Sequence, residues 1–169
     1  MKPPGFFSLS LLILLLLAVP GCKDKNDTVL FVDDQAAILS SEQRDRINRL
    51  TQKLLEDIDI HFLVVTLDTP ALDLDAKALE LFEERALGKK TGAARGMLFL
   101  VDPQGKAVRL ETGYDLEGIF TDAFTGYVER EQMLPFFAAG RIAPGIEATV
   151  ELLVARALTA VEKGDDTID

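Results

Sequence analysis

The sequence predicts an α/β protein, a three-layer α/β/α sandwich in which a mixed sheet of about four strands lies between helices. Two observations support this prediction. The expected elements follow the order β–α–β–α–β–β–α–α, and two of the strands are short, continuously apolar runs. Such runs are typical of strands covered on both faces, and alternating strands and helices are typical of layered α/β domains. A chain of 169 residues has the length of one domain with appended segments.

The first predicted strand–helix–strand unit begins at residue 29. Residues 29–32 (VLFV) are expected to form a brief strand that ends at an aspartate pair. Ser40 is followed three residues later by Gln43, which is the pattern of a capping box at the start of a helix. The β-branched, apolar run over residues 60–66 then predicts a strand buried on both faces.

A second helix is predicted from about residue 75 to residue 87. Its apolar positions assign Leu79, Phe82 and Ala86 to the inward face. Gly88 follows the last of them and is expected to end the helix, because glycine adopts the left-handed conformation that closes many helices.

A β-hairpin is predicted in the middle of the chain. Residues 96–101 (GMLFLV) form a second fully apolar strand, and DPQG at 102–105 has the proline and glycine positions of a type I turn. The following segment, 107–112 (AVRLET), alternates apolar and polar residues, as expected for a strand with one wet face. This hairpin supplies the antiparallel pair of the mixed sheet.

Helices are predicted for most of the remaining chain. The segment after residue 120 is expected to be helical up to Pro135, because proline disfavours continuation. The last helix, about 145–162, carries an apolar stripe at helical spacing. The stripe consists of Ile146, Val150, Leu153, Val154, Ala157, Leu158 and Val161. Residues 163–169 form a short acidic tail.

The N-terminal block resembles a bacterial lipoprotein signal. Residues 1–21 contain a basic start and an apolar run too short to span a bilayer comfortably, and they end immediately before Cys22, the single cysteine. This pattern predicts lipidation of Cys22, with residues 22–28 as a short tether. The domain is then expected to be lipid-anchored in the cell envelope and to face the periplasm. Lys23 rather than Asp after the cysteine indicates the outer membrane, if the organism has one. An uncleaved anchor or an ordinary secretory signal is the alternative.

Composition and motifs exclude several functions. The net charge is −10, with 18 basic against 28 acidic residues, so no basic surface for nucleic acid is expected. The sequence lacks the motifs of serine hydrolases, phosphate-binding loops, zinc sites and redox cysteines, and nothing indicates a haem or nucleotide cofactor. His61 is the single histidine and falls in a predicted strand. A packed or edge histidine is therefore expected there, and histidine-activated nucleophiles are excluded.

Carboxylates are the remaining candidates for a site. Asp33 and Asp34 end the first strand, and Asp115, Glu117 and Asp122 follow the fourth. Clustered carboxylates on loops suit hard cations such as Ca²⁺ or Mg²⁺.

Two glycines in the second group, Gly113 and Gly118, are expected to shape the loop. Two structural alternatives remain open from the residues alone. Thr121 or Asp122 could cap the next helix, and Asp33 with Asp34 could form a solvated turn. Spacing does not decide between a site and these alternatives, because the two groups are distant in sequence.

Three segments together resemble the TPM domain: VDDQAAILSSEQRDRI, FLVVTL and residues 81–146. The most specific parts are VDDxAxILS in the first segment and GYDLEGIFTDA in the third. The resemblance covers roughly residues 29–160, and the domain is assigned to residues 29–162. Relatives in this family include thylakoid-lumen proteins linked to photosystem II repair and secreted bacterial proteins. It implies an α/β/α sandwich and an acidic cluster that binds divalent cations.

Carried onto this chain, the resemblance implies a metal site formed by Asp33, Asp34, Glu117 and Asp122, whereas Asp115 matches the family less well. It implies a membrane-anchored, cation-binding module, with calcium or magnesium as cofactor and an envelope protein as partner, that assists assembly, repair or maintenance of membrane complexes. Some plant members are acid phosphatases, so the alternative is a metal-dependent phosphomonoesterase. Neither acidic loop contains an arginine or lysine to hold a phosphate, although Lys89 or Arg141 could approach such a site in the fold.

Overall fold

The computed structural model describes residues 29–89 and 91–165. The predicted signal (1–21), Cys22, its tether (22–28) and the last residues of the acidic tail lie outside these ranges. The strands are β1 Val32–Asp34, β2 His61–Thr66, β3 Gly96–Asp102 and β4 Ala107–Thr112. The α-helices are α1 Ser41–Ile58, α2 Leu74–Glu84, α3 Asp122–Tyr127, α4 Leu134–Ala138 and α5 Ile142–Asp165. A 3₁₀ turn, Tyr114–Leu116, precedes α3, and a π-helical turn, Val128–Gln132, follows it.

The four strands form one mixed sheet in the order β1-β2-β3-β4. The first three are parallel, with Asp34 beside Thr66 and Thr66 beside Val101. The last is antiparallel to β3, so its end at Thr112 lies beside Met97, near the start of β3. This arrangement confirms the predicted mixed sheet and hairpin, and it makes β1 and β4 the two edges.

Each face of the sheet has its own apolar core, which confirms the three-layer architecture. The larger core combines one face of the sheet with α1, α5 and the segment from Leu116 to Phe137. The smaller core lies on the opposite face and is closed by α2. The strands β2 and β3 are buried along their whole length, as continuous apolar runs require.

The start of α1 is the predicted capping box. The Ser40 hydroxyl accepts a hydrogen bond from the Gln43 amide, and the Gln43 side chain accepts one from the Ser40 amide. The residue that ends this helix, Asp59, has φ of 57°. The first strand is displaced from its predicted place, since it spans Val32–Asp34 rather than residues 29–32. Its pairing with β2 determines these limits.

The inward face of α2 differs from the prediction by one residue. Ala78 and Leu81 are buried, whereas Leu79 is 52% exposed and faces solvent. Phe82 packs against the smaller core, as predicted. The helix ends at Glu84, before the predicted stop at Gly88. Ala86 and Gly88, with φ of 51° and 78°, form the turns that follow.

The second half also departs from the predicted helix limits. Pro135 does not end a helix but lies in the first turn of α4, where its missing amide hydrogen is not needed. Gly140, with φ of 66°, turns the chain into α5, which begins at Ile142 rather than at residue 145. Val161 is predicted to be in the core but is 40% exposed, since the buried stripe of α5 ends with Ala157 and the partly buried Leu158.

Ion pairs connect α2 to both edge strands. Near its start, Asp75 lies 3.4 Å from Nε of Arg109 on β4. At its end, Nη2 of Arg85 donates to Asp33 Oδ2 on β1 at 3.0 Å. The helix rises about 15 Å between Asp75 and Arg85, and the sheet is roughly 14 Å wide from β1 to β4. One short helix therefore spans the full width of the sheet.

Among the helices of the described ranges, none combines the length and the apolar character that crossing a bilayer requires.

Candidate functional site

The Asp34 carboxylate forms part of the β1–α1 connection. Its side chain is only 2% exposed. It accepts hydrogen bonds from the amides of Ile38 and Leu39 at 3.2 and 3.0 Å. The Thr66 hydroxyl on β2 donates to it at 2.6 Å, and Nη1 of Arg44 lies 3.8 Å away. Both oxygens thus have protein partners, and the side chain closes a turn as a buried acceptor.

Asp33 lies on the opposite face of the same strand and is paired with a cation. Arg85 donates to its Oδ2 at 3.0 Å, and Gln35 donates to the same oxygen at 3.2 Å. About a quarter of the Asp33 side chain is exposed (24%). Its evident role is to hold the end of α2 against the edge of the sheet.

The topology separates Asp33 and Asp34 from Glu117 and Asp122. The aspartate pair lies on the β1 edge, at the end of the sheet where the parallel strands finish. Glu117 and Asp122 follow β4, the opposite edge, which finishes at the other end of the sheet. The two edges alone are roughly 14 Å apart. The four carboxylates predicted as one ligand set therefore do not converge on a common point.

The loop between β4 and α3 contains the two glycines expected to shape it. Gly113 lies against the backbone of Ala94, and a Cβ at this position would overlap the Ala94 carbonyl oxygen. Its amide also donates to the Gly96 carbonyl at 2.8 Å. At Gly118, a Cβ would have no atom within 4 Å. Close packing thus requires glycine at 113 but not at 118.

Glu117 and Asp122 line one polar cavity of about 160 Å³ beside β4. Its other polar walls are Arg109, Glu111, Thr112 and Thr125. Both Glu117 and Asp122 are exposed, and within the described part of the chain neither carboxylate forms an ion pair or accepts a hydrogen bond. Asp115 lies in the preceding 3₁₀ turn and does not line this cavity.

Arg109 lines the polar cavity and forms ion pairs with three carboxylates. Its Nη1 donates to Glu129 at 2.9 Å and its Nη2 to Glu111 at 3.2 Å, while Asp75 lies 3.4 Å from Nε. Burial acts to lower the pKa of Arg109, but Glu129, Glu111 and Asp75 outweigh it, so that pKa lies above its ordinary value. Glu129 also accepts from the Leu110 amide at 3.2 Å. This guanidinium is thus already neutralised by protein partners.

A fully preformed cation centre is not present in the described ranges, where no three His, Cys, Asp or Glu side chains are grouped closely enough to bind one ion. The donor set that best suits a hard cation is Glu117 with Asp122, and water and threonine oxygens could complete it. Glu111 and Arg109 are further polar-cavity residues that sequence reasoning did not select. Their signal was the polar alternation along β4.

His61 is a packed residue, as predicted. It is 4% exposed. Its Nε2 lies 3.1 Å from the Leu30 carbonyl oxygen, and its ring contacts Phe31 edge to face.

The fold and the polar cavity define an α/β/α sandwich domain with an acidic loop beside the antiparallel edge strand. The model of the TPM domain family matches residues 32–156. The chain belongs to this family, as its motifs indicated. A comparison with curated proteins gave no match.

Solved structures share the fold. The NMR structure of the N-terminal domain of a P. gingivalis protein is 27% identical, with a TM-score of 0.72, and the match covers 81% of this chain and 87% of that chain. The BA42 protein of Bizionia argentinensis is 16% identical (TM-score 0.60), with 72% and 83% covered. The N-terminal domain of the cg2496 protein of Corynebacterium glutamicum is 13% identical (TM-score 0.58), with 76% and 80% covered.

Proposed function

We propose that this chain is a non-enzymatic, lipid-anchored module of the cell envelope that binds a divalent cation through Glu117 and Asp122. The cation-binding part rests on one observation. These two carboxylates line the same polar cavity and lack protein partners among the described residues. Neighbouring carboxylates without counter-charges repel each other, and a Ca²⁺ or Mg²⁺ ion would relieve that repulsion. Asp33 and Asp34 have no part in this site.

The affinity of the Glu117–Asp122 site for a divalent cation is expected to be low. Calcium takes six to eight oxygens, and sites with few protein carboxylates on exposed loops bind with Kd of about 10⁻⁴–10⁻³ M. Such a site would be filled only where the free ion is abundant, which is the situation outside the cytoplasm. The proposed location and the proposed ligand set are therefore mutually consistent.

Titration of the protein comprising residues 23–169 with Ca²⁺ and Mg²⁺, followed by NMR, tests cation binding. We expect saturable shifts centred on residues 111–125, with Kd in the range of about 10⁻⁴–10⁻³ M. The double substitution Glu117→Gln with Asp122→Asn should weaken binding at least about tenfold, because both charged ligands are lost. Asp115→Asn with Glu131→Gln is the matched control, since it removes the same charge from exposed positions outside the polar cavity. Equal binding by both double variants would refute the proposal.

The alternative function, a metal-dependent phosphomonoesterase, receives less support. Phosphate binding needs a cation to hold the phosphoryl oxygens. Neither Lys89 nor Arg141 lines the polar cavity, and Arg109 is surrounded by Glu129, Glu111 and Asp75. Turnover of a generic phosphomonoester that Glu117→Gln with Asp122→Asn abolishes would favour the phosphatase over the binding module.

The anchor is tested separately at Cys22. Incorporation of a labelled fatty acid into the full chain, lost in Cys22→Ala, is the expected result. Cross-linking of the anchored protein then tests whether it has an envelope partner. The identity of that partner tests the proposed role in assembly or repair of membrane complexes. Absence of the label in the unchanged chain would contradict the lipoprotein assignment and leave the cation site untouched.

A further inference from the structure

A second concave surface lies between the β4–α3 connection and α5. This surface, the α5 groove, has a volume of about 370 Å³ and lies between residues 118–124 and the second half of α5. Ile119, Phe124 and Leu152 provide its apolar lining. Its size is within the range of about 300–1,000 Å³ that is typical of small-molecule sites, which are mostly apolar with a few polar groups.

Arg156 provides a fixed cationic group in this groove. Its guanidinium carbon lies 4.0 Å from the centre of the Phe124 ring, and its Nε donates to the Ile119 carbonyl at 2.6 Å. These two contacts fix the orientation of the guanidinium. No acceptor for its terminal nitrogens is present among the described residues. Two donors in a fixed fork are therefore available to an anionic ligand, which is the geometry that carboxylates and phosphates match.

The charge of the groove is opposite to that of the chain. The chain has 28 acidic and 18 basic residues, yet the described residues that line the groove include two basic side chains, Arg156 and Lys163, and no acidic one. The small residues Ala155 and Ala160 on α5 leave room for a narrow apolar group next to them. A ligand that fits must therefore combine one anionic end with an apolar body.

We propose that the α5 groove binds an amphiphile with a single anionic head group and an unbranched apolar chain, the chemistry of a fatty acid or a lysophospholipid. The head group pairs with the guanidinium of Arg156. The chain lies against Ile119, Phe124 and Leu152, where burial of apolar surface supplies the remaining affinity. This site is separate from the proposed cation site, because the groove and the polar cavity share no lining residue.

The probe is dodecanoate, titrated below its micelle concentration into the protein comprising residues 23–169 and followed by calorimetry and NMR. We expect one saturable site and shifts in residues 118–124 and 152–163. Dodecanol and dodecyltrimethylammonium should bind at least about tenfold more weakly, because neither carries the anion that forms charge-assisted hydrogen bonds with Arg156. Equal binding of all three compounds would overturn the proposal.

Two variants and two controls locate the site. Arg156→Gln should reduce dodecanoate affinity about tenfold or more, and Ala160→Leu should block the groove. Arg141→Gln and Ala139→Leu make the same chemical changes at exposed positions outside the groove and should bind normally. Thermal unfolding of each variant shows whether it is folded. A folded Arg156→Gln variant with unchanged affinity would overturn the proposal even if Ala160→Leu failed to fold.

Vesicles distinguish a free amphiphile from a membrane surface. Dodecanoate and dodecyl phosphate should compete for the groove, and vesicles of phosphatidylcholine with anionic phosphatidylglycerol should not displace them. Binding to these vesicles without binding of either soluble amphiphile would overturn the proposal and indicate a membrane-facing surface instead.

Discussion

The Asp34 carboxylate connects β1, the start of α1 and β2. Replacing it with asparagine turns one of its acceptor oxygens into a donor that faces a backbone amide or the Thr66 hydroxyl. We predict that Asp34→Asn lowers the free energy of unfolding by about 1–3 kcal/mol, the usual cost of a buried group left unsatisfied. Urea denaturation measures this loss.

Asp33→Asn is the neighbouring control for this prediction. That side chain is partly exposed and its ion pair with Arg85 lies near the surface, so the expected loss is below about 1 kcal/mol. The Ca²⁺ affinity of both folded variants should be unchanged, because neither residue belongs to the proposed cation site. A loss of cation binding in either folded variant would instead favour the four-carboxylate site that the family resemblance implies.

Sequence could identify Asp34 as important but could not identify its role. A carboxylate after a strand has the same local pattern whether it binds an ion or accepts backbone hydrogen bonds. The role of Asp34 depends on Thr66, which is distant in sequence and becomes a neighbour of Asp34 only when β1 pairs with β2. For Glu117 and Asp122, the polar alternation along β4 marks Arg109 and Glu111 as outward-facing but does not identify them as neighbours across the polar cavity.

At the scale of elements, the start of α1 allows a direct test of local sequence. Ser40→Ala removes the hydroxyl that accepts the Gln43 amide, and we predict a loss of about 1 kcal/mol in the free energy of unfolding. Ser41→Ala is the matched control, since Ser41 is the first helical residue. We expect little change there, and an equal loss in both variants would show that the capping box contributes nothing.

The orientation of α2 gives a second prediction at this scale. Leu81 is 3% exposed and Leu79 is 52% exposed, although both are leucines of one helix. Leu81→Ala should lower the free energy of unfolding by about 2–5 kcal/mol, as core truncations do. Leu79→Ala should change it by less than about 0.5 kcal/mol. Thermal or urea unfolding of the two variants measures the difference, and similar losses would contradict this orientation.

The helix limits show which local signals can be trusted. Ser40 and Gln43 predicted the start of α1 because a capping box satisfies its own amides without help from the rest of the fold. On α2 the prediction was right for Phe82 but wrong for Leu79, since the short helix permits two apolar stripes and only its contact with β3 and β4 selects between them. Pro135 predicts a helix end from local sequence, but proline is equally compatible with a helix start, which is where it lies in α4.

At the scale of the whole molecule, an ion pair connects the first and last helices. Arg46 on α1 donates to Glu147 on α5, and this bond, with a further one from Gln43, holds the pKa of Glu147 below its ordinary value. A lowered carboxyl pKa stabilises the fold above the ordinary value of 4.5 and ceases to do so as pH falls through the folded-state value.

We therefore predict that Glu147→Gln destabilises the protein at about pH 7 and that the difference from the unchanged protein disappears towards about pH 3. Urea denaturation at the two pH values measures this. The effect is expected to be small, because the Arg46 side chain is largely exposed. A difference that persisted at low pH would show that Glu147 acts through packing or its other contacts rather than through its charge.

The layered fold was predictable from sequence because its signals are redundant. The apolar runs at β2 and β3, the hairpin turn at 102–105 and the stripe on α5 each indicate the same architecture. The site was less predictable. Strand order determines which loops meet, and nothing in the residues themselves states that Asp33 and Glu117 lie on opposite edges.

The hydrogen bond from the Leu110 amide to Glu129 also affects the tendency of the protein to self-associate through the edges of its sheet. An open β-sheet ends in strands whose unpaired amides can recruit a strand from another molecule and seed aggregation. Here Glu129, in the π-helical turn, accepts a hydrogen bond from the Leu110 amide on the outer edge of β4. At the other edge, β1 is three residues long and carries two aspartates. Neither border is a good template for strand addition, so the sheet can remain at four strands even where many copies are crowded together.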